Sequence, residues 1–213
     1  MRLAIIVIIG LLCFSSSCQK EDINYGYGDF RLDLATVSLS SSMRCYRLDN
    51  QMLLFPNDSV PSRFLNNSRV LLNYNVISQT DSIRRKIKVI SVSEVNTSTI
   101  KPLVSGLADE PVGLESAWLS GDWLNLRVSF QYMSAKHSMA LYQNNSVVND
   151  TIYLEFRHFA NGDKPGYTVR TLLSYSLKQY ARNGAPVPVK LRINSSNYGV
   201  YRAVYNYVSP TPN

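Results

Sequence analysis

Cysteine is scarce in this chain. There are three in 213 residues, Cys13, Cys18 and Cys45, and the first two lie in its opening stretch. If that stretch is a targeting segment, Cys45 is left alone in the folded part and no intramolecular disulfide can form. Histidine is scarcer still, with only His137 and His158. A zinc site draws on about three or four clustered His, Cys or carboxylate ligands, and neither His-x-x-x-His nor Cys-x-x-Cys occurs. No metal ligand set and no cofactor are therefore expected. Asp109-Glu110 lacks the surrounding Asp-x-Asp-x-Asp-Gly run of a calcium loop. Gly-x-Ser-x-Gly is missing, which removes the serine elbow of the α/β-hydrolases. Gly26-Tyr27-Gly28 has no preceding strand, third glycine or following helical pattern, all of which a phosphate cradle needs. The formal net charge is +7, yet no Lys/Arg run is longer than Arg84-Arg85-Lys86. That pattern suits a solvated strand end facing acidic envelope components, and nucleic acid is not an expected partner. After the opening stretch no helix of three turns with a continuous apolar stripe can be drawn.

What the chain does have begins at Met1. Arg2 precedes the almost wholly apolar Leu3 to Phe14, followed by Ser15, Ser16, Ser17, Cys18 and then Gln19, Lys20, Glu21 and Asp22. As a helix the apolar run reaches about 18 Å at 1.5 Å per residue, short of the roughly 30 Å hydrocarbon core. A signal peptide fits better than a membrane span. The small residues before Cys18 resemble a lipobox, where Gram-negative bacteria lipidate a cysteine and cleave just before it. The expectation is a lipoprotein signal peptide over 1–17 and a lipidated tether over 18–29, with Cys18 carrying the lipid that holds the chain to a membrane. Gln19, Lys20, Glu21 and Asp22 resemble the export tag that sends lipoproteins to the outer face of the outer membrane. Asp58-Ser59-Val60, Asp81-Ser82-Ile83 and Asp150-Thr151-Ile152 resemble an O-glycosylation motif of exported proteins, so Ser59, Ser82 and Thr151 are candidate acceptors.

From Phe30 onward the apolar residues recur with period two, between polar and glycine turns. Leu32 and Leu34 share one parity while Val37 and Leu39 share the other, which predicts a bulge at Ala35-Thr36. Arg69 to Ile77 reads as a strand with Val70, Leu72, Tyr74 and Val76 on one face. In Lys86 to Val95 the parity changes from Ile87 and Val89 to Ile90 and Val92, predicting a second bulge. With Arg44 to Leu48 and Met52 to Phe55 flanking Asp49-Asn50-Gln51, this makes five strands with bulges in about seventy residues, which suit a small curled barrel. Breakers crowd Asn96 to Gly113, and a second strand set follows: Trp123 to Tyr132, Ser138 to Gln143, Thr151 to Phe159, Thr168 to Leu177, Val187 to Ile193 and Tyr201 to Val208. Turns are predicted at Asn144-Asn145, Asn161-Gly162-Asp163, Asn183-Gly184 and Asn197-Tyr198-Gly199. The fold class expected is all-β, an OB-like small barrel over 30–98 followed by an antiparallel β-sandwich over 99–213. Fourteen tyrosines agree with sheets, where the ring packs and the hydroxyl stays wet.

Chemistry-bearing side chains are few. His158 ends the strand Ile152, Leu154, Phe156, His158 on its apolar parity, as a general base, a metal ligand or a sheet-end imidazole bonded to backbone. Glu155 and Arg157 share the other face and are placed to pair. Trp118 and Trp123 flank Leu119 to Asp122 as the arms of a hairpin, either packed under the turn or offered as a sugar platform. Trp118, Trp123, Glu155, Arg157 and His158 form the candidate binding surface, and no catalytic residue is assigned. An enzyme acting on cell-surface polymer requires Glu155, Asp163 or His158 to converge in a cleft.

Gly28-Asp29, Tyr46-Arg47-Leu48-Asp49-Asn50, Leu54-Phe55-Pro56, Arg69 to Tyr74, Trp118 to Leu126, Leu154-Glu155-Phe156-Arg157-His158 and Asn161-Gly162-Asp163 together resemble the NigD-like family of exported lipoproteins. The resemblance runs from about Asp29 to Leu177 and more weakly to Tyr205. Phe159 and Asp122 depart from its pattern. It implies an OB domain before a β-sandwich, no catalytic residues, and a role in bacteriocin immunity. The expected function is therefore a non-enzymatic binding or protective module at the outer membrane surface, its partner a protein such as a bacteriocin. The alternative partner is a surface glycan.

Overall fold

The computed structural model describes residues 30–148 and 150–210. The expected signal peptide over 1–17, Cys18 with the expected export tag of Gln19 to Asp22, and the expected tether over 18–29 lie outside the described residues. No helix among the described residues is long and apolar enough to cross a membrane.

The first five strands are β1 (Phe30–Ser40), β2 (Met43–Leu48), β3 (Leu53–Pro56), β4 (Arg69–Gln79) and β5 (Arg84–Glu94). They close into a barrel in the order β1-β2-β3-β5-β4, with β4 returning to β1. Its interior holds Ala35, Val37, Tyr46, Leu54, Leu72 and Tyr74, all fully buried. Each large apolar side chain so buried contributes about 1.5–3 kcal/mol. The parity change in β1 is no bulge. Residues up to Thr36 pair with β4 and residues from Ala35 pair with β2, each in unbroken register. The strand changes partners there, and the inward set is Ala35 and Val37, while Leu32 and Leu39 are more than half exposed. The second expected bulge is present. Asn73 faces Ser91 and Tyr74 faces Val89, leaving Ile90 without an opposite residue.

The remaining strands are β6 (Asn96–Ser98), β7 (Lys101–Pro102), β8 (Gly113–Ser120), β9 (Trp123–Tyr132), β10 (Ser138–Val148), β11 (Thr151–Phe159), β12 (Tyr167–Ser176), β13 (Val187–Ser195) and β14 (Gly199–Tyr207). They form two packed sheets, β14-β13-β11-β10-β7 and β6-β12-β9-β8. Leu124, Leu126 and Val128 of β9 meet Leu154 and Phe156 of β11 and Val189 and Leu191 of β13 in the core between them. The pairing is mixed where a purely antiparallel one was expected. β12 leaves one sheet through a short 3-10 helix at Lys178–Tyr180, and β13 enters the other beside β11, parallel to it. β6 and β7 also pair in parallel. Because β6 already belongs to the sandwich, the chain passes from barrel to sandwich at Val95, ahead of the boundary read after Ser98. The expected turn at Asn144-Asn145 lies inside β10, where the register with β11 shifts, and the chain reverses nearer Asp150, whose φ is 58°.

Candidate functional site

The residues singled out in the sequence fall in three places. The first is the junction of barrel and sandwich. The β8–β9 hairpin reverses at Gly121, with φ +54°, and a Cβ there would stand 2.9 Å from the carbonyl oxygen of Asp49 on the barrel. Only glycine fits so close an approach. Arg69, at the start of β4, is 1% exposed and donates to both carboxylate oxygens of Asp49 at 2.5 and 2.7 Å. Its guanidinium carbon lies 4.9 Å from the ring centroid of Trp123. A buried cation needs such partners, a bidentate carboxylate and an aromatic face. The face of Trp123 on this side is thus taken by Arg69, which leaves it as a joint between modules.

Trp118 has a different fate. With Ser120, Leu172 and Thr171 it forms the sandwich side of a cleft of about 550 Å³, whose barrel side is Leu32, Leu34, Asn50 and Leu71. Arg127 and Arg170 stand at this cleft, both held by Glu115 at 3.0 and 2.7 Å. Asp33, also on its lining, accepts a hydrogen bond from the Tyr74 hydroxyl at 2.9 Å. Burial and that carboxylate push the Tyr74 phenol up to about 12.

The second place is the outer face of β11. Arg157 reaches Glu155 at 2.5 Å and Asp109 at 3.1 Å, and Arg192 of β13 reaches Asp109 at 2.8 Å. Asn144 donates to the second oxygen of Glu155 at 3.2 Å. Two carboxylates and two guanidiniums compensate one another, and the loop carrying Asp109 is fastened over the sheet. The pairing expected of Glu155 and Arg157 is present, with their charges spent on it.

The third place was only half legible. His158 is 4% exposed and points between the sheets, its Nε2 2.8 Å from Nδ1 of His137. The Nε2 of His137 stands 3.2 Å from Asp163, which also accepts from the backbone N–H groups of Met133, Ser134 and Ala135 at 2.7, 3.1 and 3.0 Å. Phe130 covers both imidazoles, with centroids at 4.6 and 5.7 Å. The ring of His158 bonds to His137, and the backbone at Glu110 and Pro111 also acts on it. Burial, then the neighbouring His137, lowers the pKa of His158. The amide of Met133 first, then those of Ala135 and Ser134 and the His137 ring, hold the Asp163 carboxyl far below the usual range, against the opposing effect of burial. His137 could have been found from register. Met139 pairs with His158 across β10 and β11, and His137 lies two residues before Met139 on the same face.

His158 and Asp163 do converge, through His137, but Glu155 does not join them. Among the described residues no hydroxyl is hydrogen-bonded to either imidazole, and the Ser129 hydroxyl donates to the Gly113 carbonyl at 3.4 Å. The ring nitrogens face each other and Asp163 in a chain, which ties the β9–β10 loop, β11 and the β11–β12 turn together. No grouping of three or more His, Cys, Asp or Glu able to hold a metal occurs among the described residues. Cys45 is buried, and burial pushes its thiol pKa up. Ser59 and Ser82 are exposed in loop and bend, but Thr151 is 8% exposed at the start of β11, so the folded chain hides one of the three candidate acceptors.

Residues 97–207 match the family profile of the NigD-like C-terminal beta sandwich domain. No curated protein matches the chain. Among solved structures, a protein of unknown function from Bacteroides vulgatus is similar with a TM-score of 0.70 and 22% identity, over 85% of this chain and 92% of that one. A toxin-related protein from Parabacteroides distasonis is similar with a TM-score of 0.69 and 21% identity, over 85% and 94%. A NigD-like immunity protein from Bacteroides caccae is similar with a TM-score of 0.61 and 20% identity, over 84% and 97%. These likenesses extend over barrel and sandwich alike and establish the shared fold.

Proposed function

Since the chain belongs to the NigD-like family, we propose that it is an exported lipoprotein, anchored through Cys18 at the outer membrane surface, that protects the cell by binding a bacteriocin-type polypeptide without chemistry. The observation that carries this reading is the cleft between barrel and sandwich, walled by Trp118, Leu32 and Leu71 and kept in shape by Arg69, Asp49 and Trp123. Ligand sites favour such junctions, with apolar walls and a few placed polar groups. The ionisable groups of the other two places are spent on one another, in the Glu155 quartet and in the His137 chain. Deleting the gene is expected to raise sensitivity to at least one bacteriocin of competing bacteria, and restoring the chain to abolish that rise. Unchanged sensitivity across a broad panel defeats the immunity reading.

Trp118 at the cleft wall supports a second reading, a surface glycan stacked on the indole. Glycan-array binding lost on Trp118→Ala supports it, and an array without signal removes it.

A further inference from the structure

β12 pairs with β9 along its whole length, from Tyr167 to Ser176. On its other side β6 covers only Leu173, Ser174 and Tyr175. Tyr167 to Leu172 therefore present an open sheet edge, beside which no strand runs among the described residues. An open edge offers a row of N–H and C=O groups to an incoming chain. Here it also lies between two clefts. One, of about 700 Å³, leads into the space between the two sheets and is lined by Val169, Phe130, His137, Met139 and Tyr175. The Tyr175 side chain is 1% exposed, and its hydroxyl has no hydrogen-bond partner among the described residues. A buried hydroxyl without a partner keeps an unrecovered desolvation cost, which a ligand atom on the cleft wall can relieve. The other is the cleft of about 550 Å³ against Leu32, Leu34 and Leu71 of the barrel. Arg170 and Thr171 line both, so the edge divides one continuous depression.

We propose that this edge receives an extended segment of a partner polypeptide as an added strand. The proposal rests on the reading of the chain as a polypeptide-binding module and names how the polypeptide is held. Successive side chains of a strand point to opposite faces, so alternate residues of the segment enter the inter-sheet cleft and the others meet the barrel leucines. β6 occupies the edge from Leu173 onward, which limits the added strand to about six residues at 3.3 Å each. Charge selects its composition. Exposed Lys136 lines the inter-sheet cleft with no carboxylate beside it in that lining, and Arg170, which also lines it, shares the single carboxylate of Glu115 with Arg127, so that this cluster keeps one net positive charge. The two carboxylates on the barrel side are held by Tyr74 and Arg69. The segment taken is therefore acidic at some positions between apolar ones.

The test uses the chain after residue 18, intact to its C-terminus, and a displayed library of random heptapeptides. Selected peptides are expected to carry Asp or Glu between apolar residues and to slow amide exchange in Tyr167 to Leu172. N-methylating the peptide at one parity is expected to weaken binding at least tenfold while the other parity tolerates it, and a Lys136→Glu, Arg170→Glu chain to bind at least tenfold more weakly. A selection that yields no binder overturns the proposal. So do binders that protect another region, binders indifferent to N-methylation, and protection that appears without peptide as the chain dimerises. In cells, a strain sensitised by deletion but fully protected by the Lys136→Glu, Arg170→Glu chain overturns the strand site and leaves the immunity reading standing. A deletion that changes nothing defeats that reading, and the peptide selection still decides the strand site.

Discussion

The guanidinium of Arg69 lies 4.9 Å from the centroid of the Trp123 ring, with Arg69 on the barrel and Trp123 on the sandwich. The same guanidinium holds both oxygens of Asp49, whose backbone in turn faces Gly121 of the hairpin that carries Trp123. Four residues from two modules thus form one closed contact, and the cleft beside it takes its shape from that contact.

Arg69→Met is expected to cost about 3–5 kcal/mol in denaturant unfolding, since it leaves Asp49 a nearly buried charge without its partner. Adding Asp49→Asn should recover part of that loss. A double variant as unstable as the sum of its single changes rejects the pair as a unit.

Gly121→Ala should destabilise more than Gly162→Ala, although both glycines have positive φ. A methyl at 121 meets the Asp49 carbonyl at 2.9 Å, whereas nothing lies within 4 Å at 162. The expected costs are about 2–3 and about 1 kcal/mol. Equal costs in thermal unfolding count against the close approach of the hairpin to the barrel.

Stability should fall as pH drops from neutrality. His158 has a folded pKa below its ordinary value, so between its unfolded value near 6.5 and that lower value the unfolded chain binds more protons. Its contribution is complete above about 6.5 and is lost as pH falls through the window. Asp163, also lowered, adds a second loss that begins only below its ordinary value of 3.8. In His158→Phe the slope of Tm between pH 7 and pH 5, set by the histidine window, should flatten, and a slope unchanged there rejects the assignment.

Cys45 should resist thiol reagents in the folded chain and react once denaturant is added. It is 0% exposed, and burial raises its pKa, so little thiolate is available. Rapid native labelling of Cys45 in a chain with Cys18 replaced contradicts the burial.

Much of this was legible in the sequence, for reasons that differ residue by residue. Period-two runs such as Val70, Leu72 and Tyr74 gave the strands because one face of each is buried and the other wet. The bulge at Ile90 was legible because an extra residue changes parity within one strand pair. At Ala35 the same signal had another cause, since a strand that changes partners around a barrel also changes which side counts as inward. The parallel pairings of β6, β7 and β13 left no local mark, because direction depends on where a strand enters a sheet and not on its side chains. Arg69 read as an ordinary strand residue, yet its burial is decided by Asp49 and Trp123, far apart in sequence. His137 drew no role from the sequence, although its distance from Met139 put it on the same face as His158.

If the chain is anchored as proposed, the closed order β1-β2-β3-β5-β4 has a consequence in a crowded lipid leaflet. Chains tethered to a surface meet one another at high local concentration, where exposed strand edges invite neighbours to pair. A barrel whose last strand returns to its first has no such edge to offer. With the anchor proposed at Cys18, the module nearest the lipid is the one that cannot be extended by a neighbour, and the open edges stand in the module held farther along the chain.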